Sequence, residues 1–544
     1  MVTDEALAAH AALVAKLRDA AAYAHPVGVV DVVETHISSV LLAGEYAYKL
    51  KKPVDLGFVD FSTLEQRRHY CHEEVRLNRR SAPGLYLDVV PVTARDARTA
   101  DVRPHFGGAG VAIDYAVRMR RFDQDARLDQ MARTNRLSPQ LIDHLATGIA
   151  AFHTRCDPAT AYATYGKPEE ICRWTSNNLA ELRRLLPDAD QPRLAALAQW
   201  AEQEFARRAA TFTARRAAGH VRESHGDLHL ANLVLIDGEP VPFDCIEFNS
   251  QLRYIDTMSD VAFVWMDLIR HGLPQLAARF LNRYVEATGD YAGLATLRFY
   301  AVYRALVRAK VALIRRAQRD HEADAAADGQ ALADRSYEGY LVAAEQLASV
   351  RRPLLVLMCG VTGSGKTTVA QLLLEKLGAV RVRSDIERKR RAAVDPSEHV
   401  PAAVGAGLYE DRSTRATYDE LARAAVAIID AGLAAIMDAT FQRRSDRATY
   451  AALAERRGAR LALVQCEAPL AILQARVAQR LASGHDASDA TRDVLAHQLA
   501  GFEWPAGDEA PFVHPIDTDT DAATLAARCD QLAATLDAGA PPHA

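Results

Sequence analysis

The sequence has no apolar run approaching the about 18 residues that a bilayer-spanning helix needs, so no membrane partner is expected. It opens MVTDEALAAH, acidic and without an apolar stretch, so the expectation is a soluble chain without a secretory leader, working in the cytoplasm. Paired cysteines are also missing. The 7 cysteines, Cys71, Cys156, Cys172, Cys245, Cys359, Cys466 and Cys529, are scattered and form no C-x-x-C pair, which argues against a disulfide framework or a zinc site. There is no surplus of positive charge: 65 Lys and Arg face 70 Asp and Glu, a net charge of -5. That balance disfavours a dedicated binder of nucleic acid or anionic membranes. What remains is a globular composition, 49% hydrophobic and 25% charged, in 544 residues. Single cores stop growing at about 250–300 residues, so two or three domains are expected.

The rhythm of the chain changes once. Residues 4–24 have helical spacing, and DVVETHISSVLLAGEYAYKLKKP, from Asp31 to Pro53, reads as a β-hairpin turning at Ala43–Gly44. A helix is predicted from about Thr63 to Arg80, then strands in LYLDVVPVT and GVAIDYAVRMRRF. Residues 138–213 are helical in pattern, a strand-loop-strand segment spans 224–248, and helices resume to about Arg316. The stretch 315–330 loses its apolar periodicity, and the tail 539–544, GAPPHA, is expected to be disordered. From Pro353 onward short apolar strands alternate with helices (LLVLMCG, VRVRSD, AAIMD, LALVQC, FVHPID), the signature of a parallel sheet with crossover helices. The expected domains are 1–350, with a small lobe of about 25–122 and a helical lobe of about 123–350, and 351–544.

The strongest local signal is Gly360-Val-Thr-Gly363-Ser364-Gly365-Lys366-Thr367, followed by Thr368, which matches G-x-x-x-x-G-K-[ST] between an apolar strand and a helix. Glycines let successive backbone N–H groups point at phosphate oxygens, and the helix adds its positive N-terminal end. Lys366 would reach the β- and γ-phosphates of ATP, and the Thr367 hydroxyl would ligate Mg²⁺. Ser384-Asp385-Ile386-Glu387 reads as a capping box opening the next helix, with Asp385 and Arg388 on one face. Asp385, at a strand's C-terminal end, is a candidate base for an attacking hydroxyl; the plainer reading is a helix-end acid in a surface ion pair. Asp438 ends the strand AAIMD, where a carboxylate could hold Mg²⁺ through water, although turns also favour aspartate there. Arg476 and Arg480, four apart, could close over the triphosphate or form a solvated helix face. Together GVTGSGKTT, SDIERKR, IMDATFQRRSDR and the two arginines resemble the small P-loop kinases, a group that includes polynucleotide kinase, gluconate kinase and chloramphenicol phosphotransferase. The resemblance covers roughly 353–520 and implies phosphoryl transfer to a hydroxyl, with Asp385 as base and Lys366 in the catalytic centre.

A second constellation lies in the first half. His225-Gly226-Asp227-Leu228-His229-Leu230-Ala231-Asn232 places an aspartate and an asparagine five apart, and VPF delivers Asp244 beyond them. Phosphoryl transfer from Mg-ATP needs a group to orient the acceptor hydroxyl and oxygens to hold Mg²⁺, and these three residues supply them in the chain order of the protein kinases. The set resembles the aminoglycoside phosphotransferase, choline kinase and homoserine kinase superfamily over roughly 25–310. The likeness implies a protein-kinase-like bilobal fold, with Asp227 as base and Asn232 and Asp244 as Mg²⁺ ligands. Glu247 stands where FDCIEF replaces DFG. His225 is read as bracing the loop, His229 takes the place of a phosphate-contacting lysine, and Asp256 and Asp260 are read as loop supports. Such kinases need a small-lobe lysine paired with a helix glutamate. Lys49 is the candidate, with Lys51 its rival on the same face, and Glu74 is the partner ahead of Glu73. No glycine-rich loop precedes Lys49; Thr35-His36-Ile37-Ser38-Ser39 occupies that place.

The two-part arrangement as a whole resembles the bifunctional aminoglycoside phosphotransferase/ATP-binding proteins. The expected fold class is multidomain, α/β and α+β: a kinase-like bilobal domain followed by a P-loop parallel α/β domain of AAA type. The expected function is ATP-dependent, Mg²⁺-requiring phosphoryl transfer to an alcohol group of a small molecule, with a second P-loop site. The competing readings are a nucleotide-regulated binding or sensing protein with one degenerate half, and a 5′-end nucleic-acid kinase.

Overall fold

A computed structural model describes residues 4–57, 59–94, 103–108, 110–160, 163–321, 336–349, 353–395, 398, 411–483 and 491–538. The tail 539–544 and most of the unpatterned stretch, from 322, lie outside the described residues; before it, helical structure runs on to His321. The chain forms two compact units, Met1–His271 with Phe299–Glu345, and Gly272–Arg298 with Gln346–Ala544.

The first unit opens with α1 (Asp4–Lys16) and a three-stranded antiparallel run, β1 (Asp31–Glu34), β2 (Ser38–Ala43) and β3 (Tyr46–Lys51), where the sequence suggested a single hairpin. The turn falls at Gly44–Glu45, as its glycine requires. Helix α2 (Leu64–Asn78) starts at a full capping box, Thr63 accepting from the Gln66 N–H while the Gln66 side chain accepts from the Thr63 N–H. Strands β4 (Tyr86–Ala94), β5 (His105–Phe106) and β6 (Val111–Arg120) complete, among the described residues, a six-stranded antiparallel sheet in the order β1-β2-β3-β6-β4-β5. Leu41, Tyr48, Leu50, Val92 and Ala116 bury one face under Leu17 and Tyr23; Leu42, Ala47, Val117 and Met119 pack on the α2 residues Cys71 and Val75. The alternation places Lys49 and Lys51 on the α2 side.

A helical lobe follows, with α3 (Leu128–Arg133), α4 (Pro139–Arg155), α5 (Pro168–Leu185) and α6 (Gln191–Ala217). Short strand β7 (Val221–Glu223) leads to the Asp227 loop; β8 (Leu233–Ile236) and β9 (Glu239–Pro242) then form a hairpin over Asp237-Gly238. Next come α7 (Ser250–Arg253), β10 (Tyr254–Asp256) and the almost wholly buried α8 (Thr257–Arg270). Helix α9 (Pro274–Thr288) belongs to the second unit; α10 (Leu294–His321) and α11 (Ser336–Ala348) follow.

The second unit is a parallel α/β fold: β11 (Leu354–Cys359), α12 (Lys366–Leu377), β12 (Val380–Arg383), α13 (Ser384–Arg391), α14 (Asp411–Asp430), β13 (Ala435–Asp438), α15 (Arg444–Arg456), β14 (Arg460–Glu467), α16 (Leu470–Ser483), α17 (Arg492–Gly501), β15 (Val513–Asp517) and α18 (Ala522–Ala538). The five described strands, ordered β12-β13-β11-β14-β15, are parallel throughout. The apolar strand β11 is buried along its length, as a central strand covered on both faces must be. The edge strand β12 is blunted by α9: the Arg381 N–H donates to Asn282 Oδ1 at 2.7 Å. The expected capping box at Ser384 is not formed. Ser384 is already helical, behind Arg383 as cap, and the Glu387 carboxylate instead accepts from Tyr291 Oη at 3.0 Å and from Arg390. A buried tyrosine hydroxyl and a guanidinium win over the half-buried cap. Among the described residues no helix is long and apolar enough to cross a membrane. The fold class is thus the one expected, an antiparallel small lobe with a helical lobe, then a parallel P-loop sheet.

Candidate functional site

In the first unit, β3, α2 and the segment after β9 bring five charges together. Lys49 Nζ donates to Glu74 Oε1 at 2.8 Å and to Asp244 Oδ1 at 2.5 Å. Lys51 Nζ donates to Glu74 Oε2 at 2.7 Å and also to Glu247 Oε1, while it lies 4.8 Å from the centre of the Phe61 ring. Both rivals for the helix glutamate therefore reach it, one on each oxygen. Lys51, Glu74 and Glu247 are 0–4% exposed at their side chains, Lys49 11% and Asp244 42%, so only the Lys49–Asp244 end of the cluster opens outward. Burial works against the charge of each lysine, but Asp244, Glu74 and Glu247 outweigh it and push both pKa values up. Burial likewise opposes the Glu74 charge, yet Lys49 and Lys51 hold its carboxyl well below the ordinary range. Three carboxylates face two ammonium groups, and the surplus falls on Glu247, which burial and the neighbouring Glu74 push up despite Lys51. Glu73, the second candidate partner, pairs instead with Arg76 at 2.9 Å.

The Asp227 loop is built from below. Asp260, fully buried on α8, accepts from the N–H groups of His225 (2.8 Å) and Gly226 (3.0 Å). Gly226 takes φ +87°, and a β-carbon there would meet Leu252 O at 2.7 Å, so the turn admits no side chain. The His225 ring braces the loop, Nε2 toward Phe243 O at 2.9 Å and Nδ1 accepting from the Asp227 N–H at 3.3 Å. Asp256 is locked by Arg215 at 2.7 and 2.8 Å, a supporting contact. Asn232 Nδ2 donates to Asp227 O and Oδ2 at 3.0 and 3.1 Å, leaving its carbonyl oxygen outside that pair of bonds. His229 Nε2 lies 3.4 Å from Asp227 Oδ2 and 3.0 Å from Arg308 Nη1. Burial would raise the Asp227 carboxyl, but His229 and Arg308 outweigh it and hold the pKa down, so the group is a carboxylate throughout the ordinary pH range. Asp244 sits at φ +63°, left-handed backbone held by its N–H donating to Tyr86 Oη at 3.0 Å.

The donor set fits a hard cation such as Mg²⁺. Asp227 and Asp244 supply carboxylates and Asn232 an amide oxygen, and with Asp244 included the Lys49–Lys51 cluster holds one more carboxylate than ammonium groups. Among the described residues no three His, Cys, Asp or Glu side chains form a metal cage.

In the second unit the 360–367 turn leads into α12. Gly363 has φ +80°, and a β-carbon there would lie 2.8 Å from Leu473 O. Lys366 Nζ donates to Val361 O at 2.8 Å; burial lowers its pKa even though Asp438 and Asp385 act to raise it. Asp438, Asp385 and Arg480 are thus among the groups that act on Lys366. Asp438 is buried with Oδ2 unpartnered among the described residues, and the Thr367 side chain is exposed, an arrangement that also fits Mg²⁺. Asp385 is paired with Arg388 at 2.9 Å. Arg480 donates to Thr362 Oγ1 at 2.8 Å. Arg476 is committed to backbone, donating to Gly363 O at 3.3 Å and to Thr518 O at 2.7 Å, which braces the turn from beneath.

Sequence reasoning passed over several residues that the fold brings in. Arg308 arrives from α10 with no local signal. His36, at the tip of the turn standing where a glycine-rich loop would be, feels the charges of Arg315, Asp227, Asp244 and Lys49, and its Nδ1 is buried without a partner among the described residues. Thr518, beneath the P-loop, accepts from Arg476 and donates to Ser364 O at 3.0 Å.

Residues 355–505 match the AAA domain family. The choline/ethanolamine kinase family protein of Mesorhizobium loti is 15% identical in structure-based comparison, covering 64% of this chain and 100% of its own with a TM-score of 0.33. A gluconokinase of Sinorhizobium meliloti is 20% identical, covering 35% of this chain and 95% of its own with a TM-score of 0.25. An uncharacterized protein of Mycobacterium tuberculosis, Rv2004c, is 33% identical over 501 residues, spanning 91% of this chain and 94% of its own. With a third of its residues shared over nearly its whole length, the chain belongs to the family of this mycobacterial protein.

Proposed function

We propose that the chain is an ATP-dependent phosphotransferase acting on an alcohol group of a small molecule, with a second P-loop kinase site of its own. The observation that carries this reading is the meeting of Lys49 with Glu74 and Asp244, 25 and 195 residues away, beside a braced loop presenting Asp227 and Asn232. In this reading Lys49 leaves Asp244 for the α/β-phosphates of ATP while Glu74 steadies it. Asn232 and Asp244 would hold a magnesium ion, as would Thr367 and Asp438 in the second site. When bound, the ion supplies positive charge to the β- and γ-phosphate oxygens. Asp227 receives the hydrogen of the acceptor hydroxyl; as the acceptor oxygen bonds to the γ-phosphorus, the bond to the β-phosphate oxygen breaks and ADP leaves. A carboxylate held ionised by His229 and Arg308 suits orienting that hydroxyl and taking its proton late. In the second site Lys366 would turn from Val361 O to the phosphates, and Asp385 would play the part of Asp227 once Arg388 shifts toward the acceptor.

Single-turnover transfer of the γ-phosphoryl from labelled ATP into a metabolite pool tests this. Asp227→Asn should remove one set of labelled products and Lys366→Ala another. If both variants label the pool as the unaltered protein does, the reading fails.

A further inference from the structure

A single lysine–glutamate pair would serve the small lobe of the enzyme proposed above; this chain has two. The second is the better buried: Lys51 is fully enclosed, with Glu74 on one side, Glu247 on the other and the Phe61 ring against its ammonium. Lys51 cannot be the phosphate contact, because no part of its side chain is exposed and both its partners are buried acids. Its two carboxylates belong to different elements. Glu74 is on α2, whereas Glu247 is three residues beyond Asp244, in a segment tied to α2 a second time by the Cys245 N–H on Asn78 Oδ1 at 2.9 Å. Arg253 holds the far end, donating to Glu247 O at 3.1 Å. The outer pair is built differently: Lys49 shares itself between Glu74 and the exposed, left-handed Asp244.

We propose that Lys51 is a positioning residue, a fixed clasp joining Glu74 to Glu247. The clasp keeps α2 and the Asp244 segment in register while Lys49 exchanges Asp244 for nucleotide phosphate. Without it the buried Glu74 would have Lys49 as its one ammonium partner, and a lysine shared between that carboxylate and the phosphates would be held back from the nucleotide, at a cost in affinity. With it Glu74 keeps a second, fixed ammonium, so Lys49 can turn to the phosphates while still bonded to Glu74. The inference rests on the phosphotransferase reading of the first unit.

The test uses the full chain carrying Lys366→Ala, so that nucleotide binding reports the first unit, with Mg·AMP-PNP titrated by calorimetry. If this parent binds no AMP-PNP, the phosphotransferase reading of the first unit fails, and the clasp with it. If the parent binds, the clasp is tested on its own by Lys51→Met/Glu247→Leu, an apolar pair of similar volume that preserves packing. The expected result is a melting temperature close to the parent's with affinity weakened about tenfold or more, the usual scale for supporting contacts around an ion site. Lys51→Arg should restore most of the affinity. Glu247→Gln, the smallest change, covers the case in which the double variant does not fold, and should weaken binding several-fold. A merely structural pair would move the melting temperature and leave the affinity of the folded protein alone. Parent-like affinity in Glu247→Gln, or in a folded double variant, overturns the proposal.

Discussion

The Gly360–Thr367 turn and the Asp227 loop assemble charge from opposite materials. The turn is eight consecutive residues whose geometry is set by backbone, with Arg476 and Thr518 bonded to its carbonyl groups from below. The loop is one corner of a site whose other corners are side chains from β3, α2, the segment after β9 and α10. Their cations rest differently: Lys366 on a carbonyl oxygen of its own loop, Lys49 on the carboxylate that it leaves in the proposed reaction. A backbone-built site should fail when space is taken from it, and a side-chain-built site when a charge is removed.

The comparison can be sharpened or broken in order of expected effect. Asp227→Asn keeps shape and removes a charge, and should cost the first site about 10³-fold in turnover, within the range for a positioned base, while Mg-ATP affinity stays near its starting value. Steady-state kinetics on an acceptor found by the labelling experiment checks this, and a comparable loss in affinity would mean the residue only holds the loop. Gly363→Ala changes no charge, yet at φ +80° its methyl would meet Leu473 O at 2.8 Å. Nucleotide affinity at the second site should drop about 100-fold, from strain and displacement of the turn together; near-normal affinity would break the contrast. Gly226→Ala places the same kind of intrusion in the side-chain-built site, 2.7 Å from Leu252 O, and should lower stability by about 1–3 kcal/mol in denaturant melts.

The smallest expected effect is pH-dependent. His10 is 7% exposed, lies 2.9 Å from Ser39 Oγ, and burial pulls its pKa from 6.5 down to about 4 despite Glu34. Its native form therefore binds protons less readily than the unfolded chain. The stability it contributes is complete above pH 6.5 and is lost as pH falls toward 4. His10→Gln should flatten that part of the stability–pH curve; an unchanged slope would assign the acid sensitivity elsewhere.

Much of both sites was legible because the chemistry repeats locally. The P-loop is a contiguous string, and Asp227, Asn232 and Asp244 are ordered by a short loop and a hairpin. Period-two alternation put Lys49 and Lys51 on one face, but alternation cannot say which lysine reaches the surface; the wall formed by Glu247 and Phe61 decides that. The capping box at Ser384 looked sound as a local pattern and lost to Tyr291 and Arg390, two partners visible only after folding. Arg476 and Arg480 share a helix face at identical spacing, yet one donates to backbone under the turn and the other to Thr362.

The sequence by itself determined the two fold types and the candidate residues for holding phosphate, since turn chemistry, periodicity and motif spacing act over a few residues. The tertiary structure decided which charges pair, because a buried ion takes whichever partner the fold carries within about 3 Å, whatever its distance along the chain. It also decided that α9, from near the midpoint of the chain, lies with the parallel sheet, where Asn282 takes the unpaired N–H of an edge strand.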